Sequence, residues 1–413
     1  MSGVASSRPN GGTVARPSDD DARLAELIAR RSEANAGWFA ELADPLARLC
    51  HRMAERFARG GRLIAIGASP QARSDVRHVA VEFVHPVIVG KRALPALGLA
   101  AEGGELSAQV ELTAEPDDIA IAFGDDAETA AALAIAAARG CLTVAFEPIG
   151  AECQLVPPGD DPFVRQELAE TAYHVLWELV HVFFEHRGLL EGRGAGPVHD
   201  TGASSFLYPF LAERERDLDA VLADVRDSVL MKAGEVGELR EQTLADNAEQ
   251  LAAAAAELRT RLDAGGKLLA LGNGGSATDA MDAVADLRQP PHGWPSRPAL
   301  DLTEDTAIVT AVANDVGVEA IFQRQVIAHG SERDTLLALS TSGGSDNVIA
   351  ALAEARRRGL ATIAMVGYDG GRILAERLAD HVIVTRSEHV PRIQEAQASA
   401  WHVLRELIEE AGR

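Results

Sequence analysis

The pattern of apolar and polar positions divides the chain into two copies of one order of elements. Each copy begins with a long stretch of apolar residues at helical spacing, over residues 19–60 and 226–265. Each stretch ends at a glycine pair and an apolar strand, in "ARGGRLIAIGAS" (58–69) and in "DAGGKLLALGNG" (263–274). A repeat of this length predicts two similar structural units.

The rest of each copy alternates apolar strands with Ala-rich helices. Residues 117–147 and 334–366 both read strand, loop, helix ending at Gly, strand, and a closing helix follows at 165–186 and 392–412. Strands that alternate with helices are typical of parallel sheets covered on both faces. The predicted fold class is therefore α/β, with two tandem domains, each a three-layer α/β/α sandwich around a flavodoxin-like parallel sheet.

The same pattern sets the expected domain boundaries. Domain 1 is assigned to residues 21–190 and domain 2 to residues 226–413, and the segment 191–225, which contains "GRGAGP" and "YPF", is assigned to a linker. Residues 1–20 lack the continuous apolar core of a signal peptide and are predicted to be disordered.

Composition narrows the expected partners and compartment. The 413 residues carry 39 Lys and Arg against 62 Asp and Glu, a net charge of −23, which opposes binding to nucleic acid and to anionic membranes. The three cysteines form no C-x-x-C pair, and no apolar run is long enough to span a bilayer. A soluble cytoplasmic protein is expected.

Two loops of the second copy have the composition of phosphate-binding loops. "LGNGGS" and "STSGGSDN" each follow an apolar strand and precede a helix, where hydroxyls and free backbone N–H groups can surround an anion. The candidate residues there are Asn273, Ser276, Ser340, Thr341, Ser342 and Ser345. Ordinary turns and helix caps are the alternative interpretation.

The first copy lacks these loops but carries candidate metal ligands. Its loops read "GASPQARS" and "AFGDDAET", and Asp125 and Asp126 would repel a phosphate. His78 and Glu82 are spaced i, i+4 on one helix, and Gln166 and His174 are eight residues apart on another. Two imidazoles, a carboxylate and an amide oxygen form a ligand set suited to zinc.

Several stretches of the second copy resemble the sedoheptulose 7-phosphate isomerase (phosphoheptose isomerase) family, which has a sugar isomerase (SIS) fold. They are "GNGGSATDAMDAVADL", "AVANDVGVEAIFQRQV", "STSGGSDNVIAAL", "DGGRI" and "RIQEAQASAWHVL". The resemblance covers residues 228–412 and extends more faintly over residues 22–186. It implies a zinc-dependent interconversion of sedoheptulose 7-phosphate and a heptose 7-phosphate.

The resemblance also assigns roles to residues. It implies substrate contacts from Asn273, Ser276, Asp315, Ser340, Thr341, Ser342, Ser345 and Gln394. It implies a metal set of His78, Glu82, Gln166 and His174, with Glu82 as the base and His174 as the acid of the proton transfers. At the equivalent metal positions the second copy has Asp282, Asp286, Gln394 and His402. Two family residues are replaced in both copies, an aspartate by Phe163 and Pro391 and an arginine by Pro86 and Pro290.

The division of residues between the copies suggests a composite site. Members of the family are usually homotetramers with active sites at subunit interfaces, so we expect one chain to form an internal pseudo-dimer and two chains to form a homodimer that mimics the tetramer. Two alternatives remain open at this point. One is a noncatalytic phosphosugar sensor or accessory protein, for example a factor in metalloenzyme maturation or assembly, and the other is an isomerase of another ketose phosphate.

Overall fold

A computed structural model of the chain describes residues 19–88, 91–185 and 217–410. It contains two five-stranded sheets in which all strand pairs are parallel. The first sheet consists of β1 (Leu63–Gly67), β2 (Ala96–Ala100), β3 (Ile119–Ala122), β4 (Leu142–Ala145) and β5 (Cys153–Gln154). The second consists of β6 (Leu268–Leu271), β7 (Ala299–Asp301), β8 (Thr335–Ser340), β9 (Ala361–Val366) and β10 (His381–Val384).

The two sheets have the same strand order, which confirms the predicted fold class. The first runs β2-β1-β3-β4-β5 and the second β7-β6-β8-β9-β10. This is the 2-1-3-4-5 order of flavodoxin-like proteins, in which ligands bind beyond the carboxyl ends of the strands. We therefore expect a ligand site at the carboxyl ends of β6 and β8, where the two phosphate-type loops begin.

Helices cover both faces of each sheet. Those of the first half are α1 (Asp19–Ala58), α2 (Pro70–Val84), α3 (Leu106–Thr113), α4 (Ala127–Ala138) and α5 (Pro162–Glu185). Those of the second half are α6 (Leu218–Asp246), α7 (Ala248–Asp263), α8 (Gly275–Arg288), α9 (Thr306–Asp315), α10 (Ile321–His329), α11 (Asp346–Arg357), α12 (Gly371–Ala375) and α13 (Val390–Glu410). Single 3-10 turns lie at Ala101–Gly103 and Val318–Ala320.

The central strands are apolar throughout because helices cover both of their faces. In β1 all five residues are buried, with Leu63 and Ala65 in the apolar cluster on one side of the sheet and Ile64 and Ile66 in the cluster on the other. The second sheet is packed in the same way, between two further clusters.

The long helix predicted over 226–265 is two helices in the structure. It begins at Leu218, within the segment assigned to a linker, and is interrupted at Asn247. The Asn247 side chain accepts a hydrogen bond from the Val384 amide and donates one to the Val384 carbonyl, both at 3.0 Å. These bonds hold Asn247 outside helical geometry. The disorder predicted for residues 1–20 is wrong for residues 19 and 20, which form the start of α1, while residues 1–18 and the linker residues 191–216 lie outside the described residues.

The two halves share an extensive interface. Helix α1 packs along α6, α2 packs against α8, and the closing helices α5 and α13 pack against each other. Arg31 of α1 lies inside this interface and contacts Glu167 of α5 and Glu406 of α13, both at 3.0 Å. The functional helices of both halves therefore meet in one interior.

Among the described residues, no helix combines the length and the apolar character needed to cross a membrane. The three cysteines are free thiols.

Candidate active site

The two phosphate-type loops of the second half leave helix N-termini open. Helix α8 follows β6 with Gly274 at its N-cap, and α11 follows β8 with Ser345 at its N-cap, and neither cap makes a side-chain hydrogen bond to its helix. The first N–H groups of a helix have no partner within the helix, so an uncapped start can bind an anion.

These two loops are joined to each other. The side-chain amides of Asn273 and Asn347 exchange two hydrogen bonds, of 3.0 and 2.9 Å. The Ser340 and Ser345 hydroxyls are 3.4 Å apart, and the Ser342 hydroxyl accepts from a backbone amide of its own loop. The structure thus brings the candidate Ser and Asn residues of both loops to one edge of the sheet. Asn347 was not predicted, although its place in "SGGSDN" gave a signal.

The equivalent loops of the first half are closed by their own side chains. Ser69 Oγ accepts from the Ala72 amide at the start of α2. Asp126 Oδ1 accepts from the Thr129 amide at the start of α4. The Asp126 carboxylate occupies the place that an anion would take, so these loops do not offer the open helix starts of the second half.

The predicted metal residues of the first half converge at the domain interface. His78 and Glu82 of α2 and His174 of α5 each place a ligand atom within 4.8 Å of the others, and all three are buried. The two imidazoles face each other through their Nε2 atoms, which are 3.2 Å apart. This convergence of nitrogen and oxygen donors is what a zinc ion requires.

The fourth donor comes from the second half. Gln394 of α13 places its side-chain amide 3.3 Å from His78 Nε2, whereas Gln166 lines cavities beside Asp282 and Asp286. Gln166 lies about 12 Å from His174 along the helix axis, and none of the described hydrogen bonds joins it to His78 or His174, whereas Gln394 contacts His78 directly. The structure therefore changes the predicted ligand set, with Gln394 in the place of Gln166.

A carboxylate from the second half orients His174. Glu395 Oε1 accepts a hydrogen bond from His174 Nδ1 at 2.9 Å. Arg392 holds Glu395 and also contacts Glu178, at 2.8 Å, and Lys232 makes a further ion pair with Glu178. With Nδ1 bonded in this way, His174 directs Nε2 toward His78.

Sequence reasoning missed Glu395, although a signal was present. The closing helices of both halves contain a Gln-Glu pair, Gln166–Glu167 and Gln394–Glu395. Glu167 contacts His402 Nδ1 at 2.9 Å, just as Glu395 contacts His174. An alignment of the two copies could have identified both carboxylates.

Burial sets the protonation of the central groups. It raises the pKa of Glu82 to about 7, against the opposing effect of His174. Burial, with a smaller contribution from His174, lowers the pKa of His78 well below its usual value, so this imidazole is neutral. A carboxyl that titrates near neutrality and a neutral imidazole suit a general base and a metal ligand.

Two orphaned atoms show that the cluster fits a metal ion. Glu82 Oε2 and Gln394 Oε1 are buried and have no hydrogen-bond partner. Leaving such atoms unpaired costs about 1 to 3 kcal/mol each. Two imidazole nitrogens and a carboxylate oxygen lie around one point, and turning the Gln394 amide over, so that Oε1 takes the place of Nε2 beside His78, would add the fourth donor of a zinc site.

Gly275 connects the phosphate-type loop to this cluster. A Cβ at this position would collide with Gln394 Nε2 and come within 3.1 Å of His78 Nε2. Only glycine allows the loop to approach so closely. The open start of α8 and the His78 cluster are therefore adjacent, although they belong to different halves of the sequence.

The equivalent positions of the second half form a separate buried group of Asp282, Asp286 and His402. Burial raises the pKa of Asp286 to about 7. Burial alone would lower the pKa of His402, but the carboxylates of Asp282 and Glu167 raise it well above its usual value.

Asp315 is the predicted substrate residue that the structure does not join to the others. It lies at the end of α9, is exposed, and accepts a hydrogen bond from its neighbour Asn314 at 2.7 Å. None of the described hydrogen bonds or ion pairs links it to the loop residues or to the His78 cluster.

Comparisons with known proteins agree with this geometry. The family model for the SIS domain matches residues 233–367. A phosphoheptose isomerase of Nitratidesulfovibrio vulgaris is 38% identical over 192 residues, covering 45% of this chain and 89% of that protein. One of Pelodictyon phaeoclathratiforme is 40% identical over 203 residues, covering 48% of this chain and 92% of that protein.

A solved structure matches across both halves. It is the C-terminal domain of a glucosamine-fructose-6-phosphate aminotransferase from Francisella tularensis, with a TM-score of 0.56 and 11% identity over 93% of this chain and 94% of that one. At this identity the match concerns the fold, and it extends over nearly the whole chain.

Proposed function

Because the chain belongs to the phosphoheptose isomerase family of SIS-domain proteins, we propose that it interconverts sedoheptulose 7-phosphate and a heptose 7-phosphate at one site built from both domains. The names of its relatives support an aldose–ketose isomerase acting on a phosphosugar. The heptose substrate, the metal and the proton-transfer roles are our proposal.

The approach of Gly275 to His78 and Gln394 carries this proposal. Neither half holds a complete set by itself, because the first has closed its anion loops and the second has aspartates at Asp282 and Asp286. Across the interface, the open loops of the second half meet the His78 cluster of the first. The loop at the start of α8 thus provides an anion site next to the metal-type cluster of His78, Glu82 and His174, in which Glu82 is the proposed base.

The loops would bind the phosphate and fix the sugar relative to Glu82. The hydroxyls of Ser340, Ser342 and Ser345 and the backbone N–H groups at the starts of α8 and α11, which no side-chain cap from Gly274 or Ser345 covers, can provide donors for phosphate oxygens. Binding the non-reacting phosphate lets the protein orient the carbonyl end of the sugar.

Glu82 is the base that takes the proton from the carbon next to the carbonyl. In the metal-free chain burial raises the pKa of Glu82 to about 7, and a bound cation would lower it and keep the carboxylate ionised, ready to accept a proton. The Glu82 carboxyl then gives this proton to the carbonyl oxygen, takes the proton of the neighbouring hydroxyl, and delivers that proton to the former carbonyl carbon, which completes the exchange of ketose and aldose. His174 bonds Glu395 through Nδ1 and has only Nε2 facing the centre, so we assign it to the ligand set in place of the acid role that the resemblance implies.

A zinc ion would be held by His78, Glu82, His174 and Gln394. When bound, zinc would supply Lewis-acid stabilisation of the negative charge that develops on the substrate oxygens. One Glu82 oxygen can serve as ligand while the unpartnered Oε2 accepts the proton. Glu395, which is itself held by Arg392, keeps His174 in its orientation.

A homodimer is the assembly we propose. The two halves of one chain already pack as an internal pair through α1, α6, α5 and α13. Two chains would then present four SIS domains, as a tetramer of single-domain relatives does.

The test is conversion of sedoheptulose 7-phosphate by the purified chain, with zinc measured in the same samples. Glu82→Gln removes the base while keeping the shape of the side chain, and we expect turnover to become at least 100-fold slower. Ser342→Ala removes a phosphate donor, and we expect about 5- to 10-fold weaker apparent substrate affinity with a smaller change in turnover. Glu257→Gln and Ser228→Ala, at half-buried helix positions outside the proposed site, are the matched controls.

Three results would contradict the proposal. If Glu82→Gln retains full turnover, the base is elsewhere. If the wild-type chain shows no turnover but still binds the phosphosugar through Ser342, the chain is a sensor or accessory protein, and if it converts another ketose phosphate faster, the heptose assignment fails.

A further inference from the structure

The second half contains a buried group of ligand-type side chains that the proposed reaction does not use. Asp282 and Asp286 lie one helical turn apart on α8, and His402 lies on α13. One oxygen or nitrogen of each lies within 4.8 Å of the others, and the exposed fraction of each residue is 6% or less. The group lies at the positions equivalent to His78, Glu82 and His174.

The spacing within the group is too wide for hydrogen bonds. His402 Nε2 is fully buried without a hydrogen-bond partner, and lies 3.5 Å from Asp282 Oδ2 and 3.7 Å from Asp286 Oδ2. A charge-assisted hydrogen bond would bring these atoms to about 2.7–2.9 Å. Neighbouring donors around a divalent ion at about 2.1 to 2.2 Å stand roughly 3.0 to 3.6 Å apart, in octahedral or tetrahedral coordination, so the observed separations leave room for an ion.

A carboxylate fixes His402 in the orientation of a ligand. Glu167 Oε1 accepts from His402 Nδ1 at 2.9 Å, and Glu167 is held by Arg31 at 3.0 Å and by the Ser399 hydroxyl at 2.6 Å. With Nδ1 bonded in this way, His402 directs Nε2 between the two aspartates. Carboxylates in this position orient the histidine ligands of metal ions.

Aromatic side chains cover one side of the group. The Phe163 ring stacks on the His402 ring with centroids 4.7 Å apart, and the Trp401 indole donates to Asp286 Oδ2 at 2.9 Å. On the other side, Gln166 of the first half lines the cavities on which Asp282 and Asp286 open, so it can supply an amide oxygen. An ion could therefore enter through these cavities.

We propose that Asp282, Asp286 and His402, completed by Gln166, bind a second divalent cation that joins the two domains. The ion is of a harder class than zinc, such as Mn²⁺, because two carboxylates and an amide oxygen outnumber the one imidazole. Its role is structural, since the anion loops on this side are closed by Ser69 and Asp126. This second site is separate from the proposed zinc centre and does not depend on turnover.

The test is the number and kind of ions bound by the full chain. The protein is stripped with a chelator, loaded with one equivalent of Zn²⁺ and then with excess Mn²⁺, freed of excess metal, and analysed by mass spectrometry of the elements, since excess Zn²⁺ would displace Mn²⁺. We expect two ions per wild-type chain, one of them Mn²⁺. His78→Ala, loaded with Mn²⁺ alone, should retain one ion per chain, and the double variant Asp282→Asn/Asp286→Asn, loaded as the wild type is, should retain zinc alone. Asp346→Asn, at an exposed helix start, is the control and should retain both.

A second measurement covers the case in which the double variant does not fold. In His78→Ala, which lacks the zinc centre, we expect Mn²⁺ to raise the unfolding temperature by several degrees and to lose the electron paramagnetic resonance signal of the free aqueous ion on binding. Absence of both effects, or a wild-type chain that binds a single ion lost in His78→Ala, would overturn the proposal. The positive charge between the aspartates would then be a protonated His402.

Discussion

At the residue scale, the zinc-type centre depends on side chains that come from both halves of the chain. His174 and Glu82 belong to the first half, while Glu395 and Gln394, which orient and complete the group, belong to the second. Each half has lost residues that the other retains. A single substitution on either side of the interface should therefore affect the same centre.

The contact between Glu395 and His174 gives the first prediction. In Glu395→Gln the His174 Nδ1 proton loses its charged acceptor, so the imidazole is held less firmly. We expect zinc affinity and turnover each to fall about 10- to 100-fold, the usual range for a carboxylate that orients a metal-bound histidine. Competition with a chromogenic chelator measures the affinity, and Glu257→Gln is the control. Unchanged zinc affinity would show that Glu395 does not position the ligand.

The raised pKa of Glu82 predicts how the stability of the metal-free chain depends on pH. Folding moves this pKa from 4.5 to about 7, so between these values the folded state holds a proton that the unfolded state has lost. The free energy of unfolding therefore falls as the pH rises through this window, by up to about 3 kcal/mol from this group. Below pH 4.5 both states are protonated and the penalty is absent.

Urea unfolding of the chelator-treated chain at about pH 5 and pH 8 measures this effect. Glu82→Gln cannot ionise, so it should lose less stability between the two pH values than the wild-type chain does. Other buried carboxyls, among them Asp75 and Glu170, remain in both proteins and cancel in the difference. An equal loss in both proteins would mean that Glu82 is ionised throughout.

At the scale of elements, the start of a helix decides which half binds an anion. The same strand-loop-helix unit occurs four times around the two sites, twice with a side-chain cap, at Ser69 and Asp126, and twice without one, at Gly274 and Ser345. A cap satisfies the N–H groups that an anion would otherwise bind. The first half therefore has the same fold as the second but no open anion site, because the side chains of Ser69 and Asp126 bond the N–H groups that an anion would need.

Gly275 at the start of α8 provides a prediction at this scale. In Gly275→Ala the new Cβ would collide with Gln394 Nε2 and crowd His78 Nε2, so the Gln394 amide would have to turn away from the metal-type cluster. We expect the catalytic efficiency to fall at least about 100-fold, as for a misplaced reacting group, and the far-UV circular dichroism to remain unchanged. Gly234→Ala, on α6 with open space around the new Cβ, is the matched control and should be fully active. Normal activity of Gly275→Ala would show that this approach is not required.

At the scale of the whole molecule, one chain encloses one composite centre, while part of its apolar surface stays exposed. Helix α9 has no buried residue, and Val316 and Val318 beyond it are 53% and 59% exposed. Exposed apolar residues grouped on one element are typical of an interface between subunits. We infer that a second copy of the chain covers this surface.

The dimer is tested by light scattering coupled to size-exclusion chromatography. The wild-type chain is expected at twice the monomer mass of 43.7 kDa. The double variant Val316→Asp/Val318→Asp places two charges in the apolar surface and is expected at the monomer mass. Leu112→Asp is the control, because Leu112 is an apolar residue of the other half that is 85% exposed, and this variant should remain a dimer at the same concentration. A wild-type monomer would contradict the inference.

The sequence by itself determined the elements and their order. Buried parallel strands are continuous apolar runs, and a helix that covers them has apolar residues at a fixed spacing, so the repeat and the α/β class could be predicted from local pattern. The open and closed loops were also visible, because "GNGGS" and "GASPQ" differ in the residues that cap a helix. His78, Glu82 and His174 were identified by helical spacing and by resemblance.

Only the tertiary structure decided which residues face one another. Gln166 and Gln394 occupy equivalent positions in the repeat, and nothing in the local pattern assigns either of them to His78. The packing of α5 against α13 determines the pairing, because it places the Gln-Glu pair of each closing helix next to the histidine of the other half. Glu395 contacts His174, and Glu167 contacts His402. The ligand set and the buried group at Asp282 and Asp286 depend on contacts between residues far apart in the sequence, and chain folding alone brings such residues together.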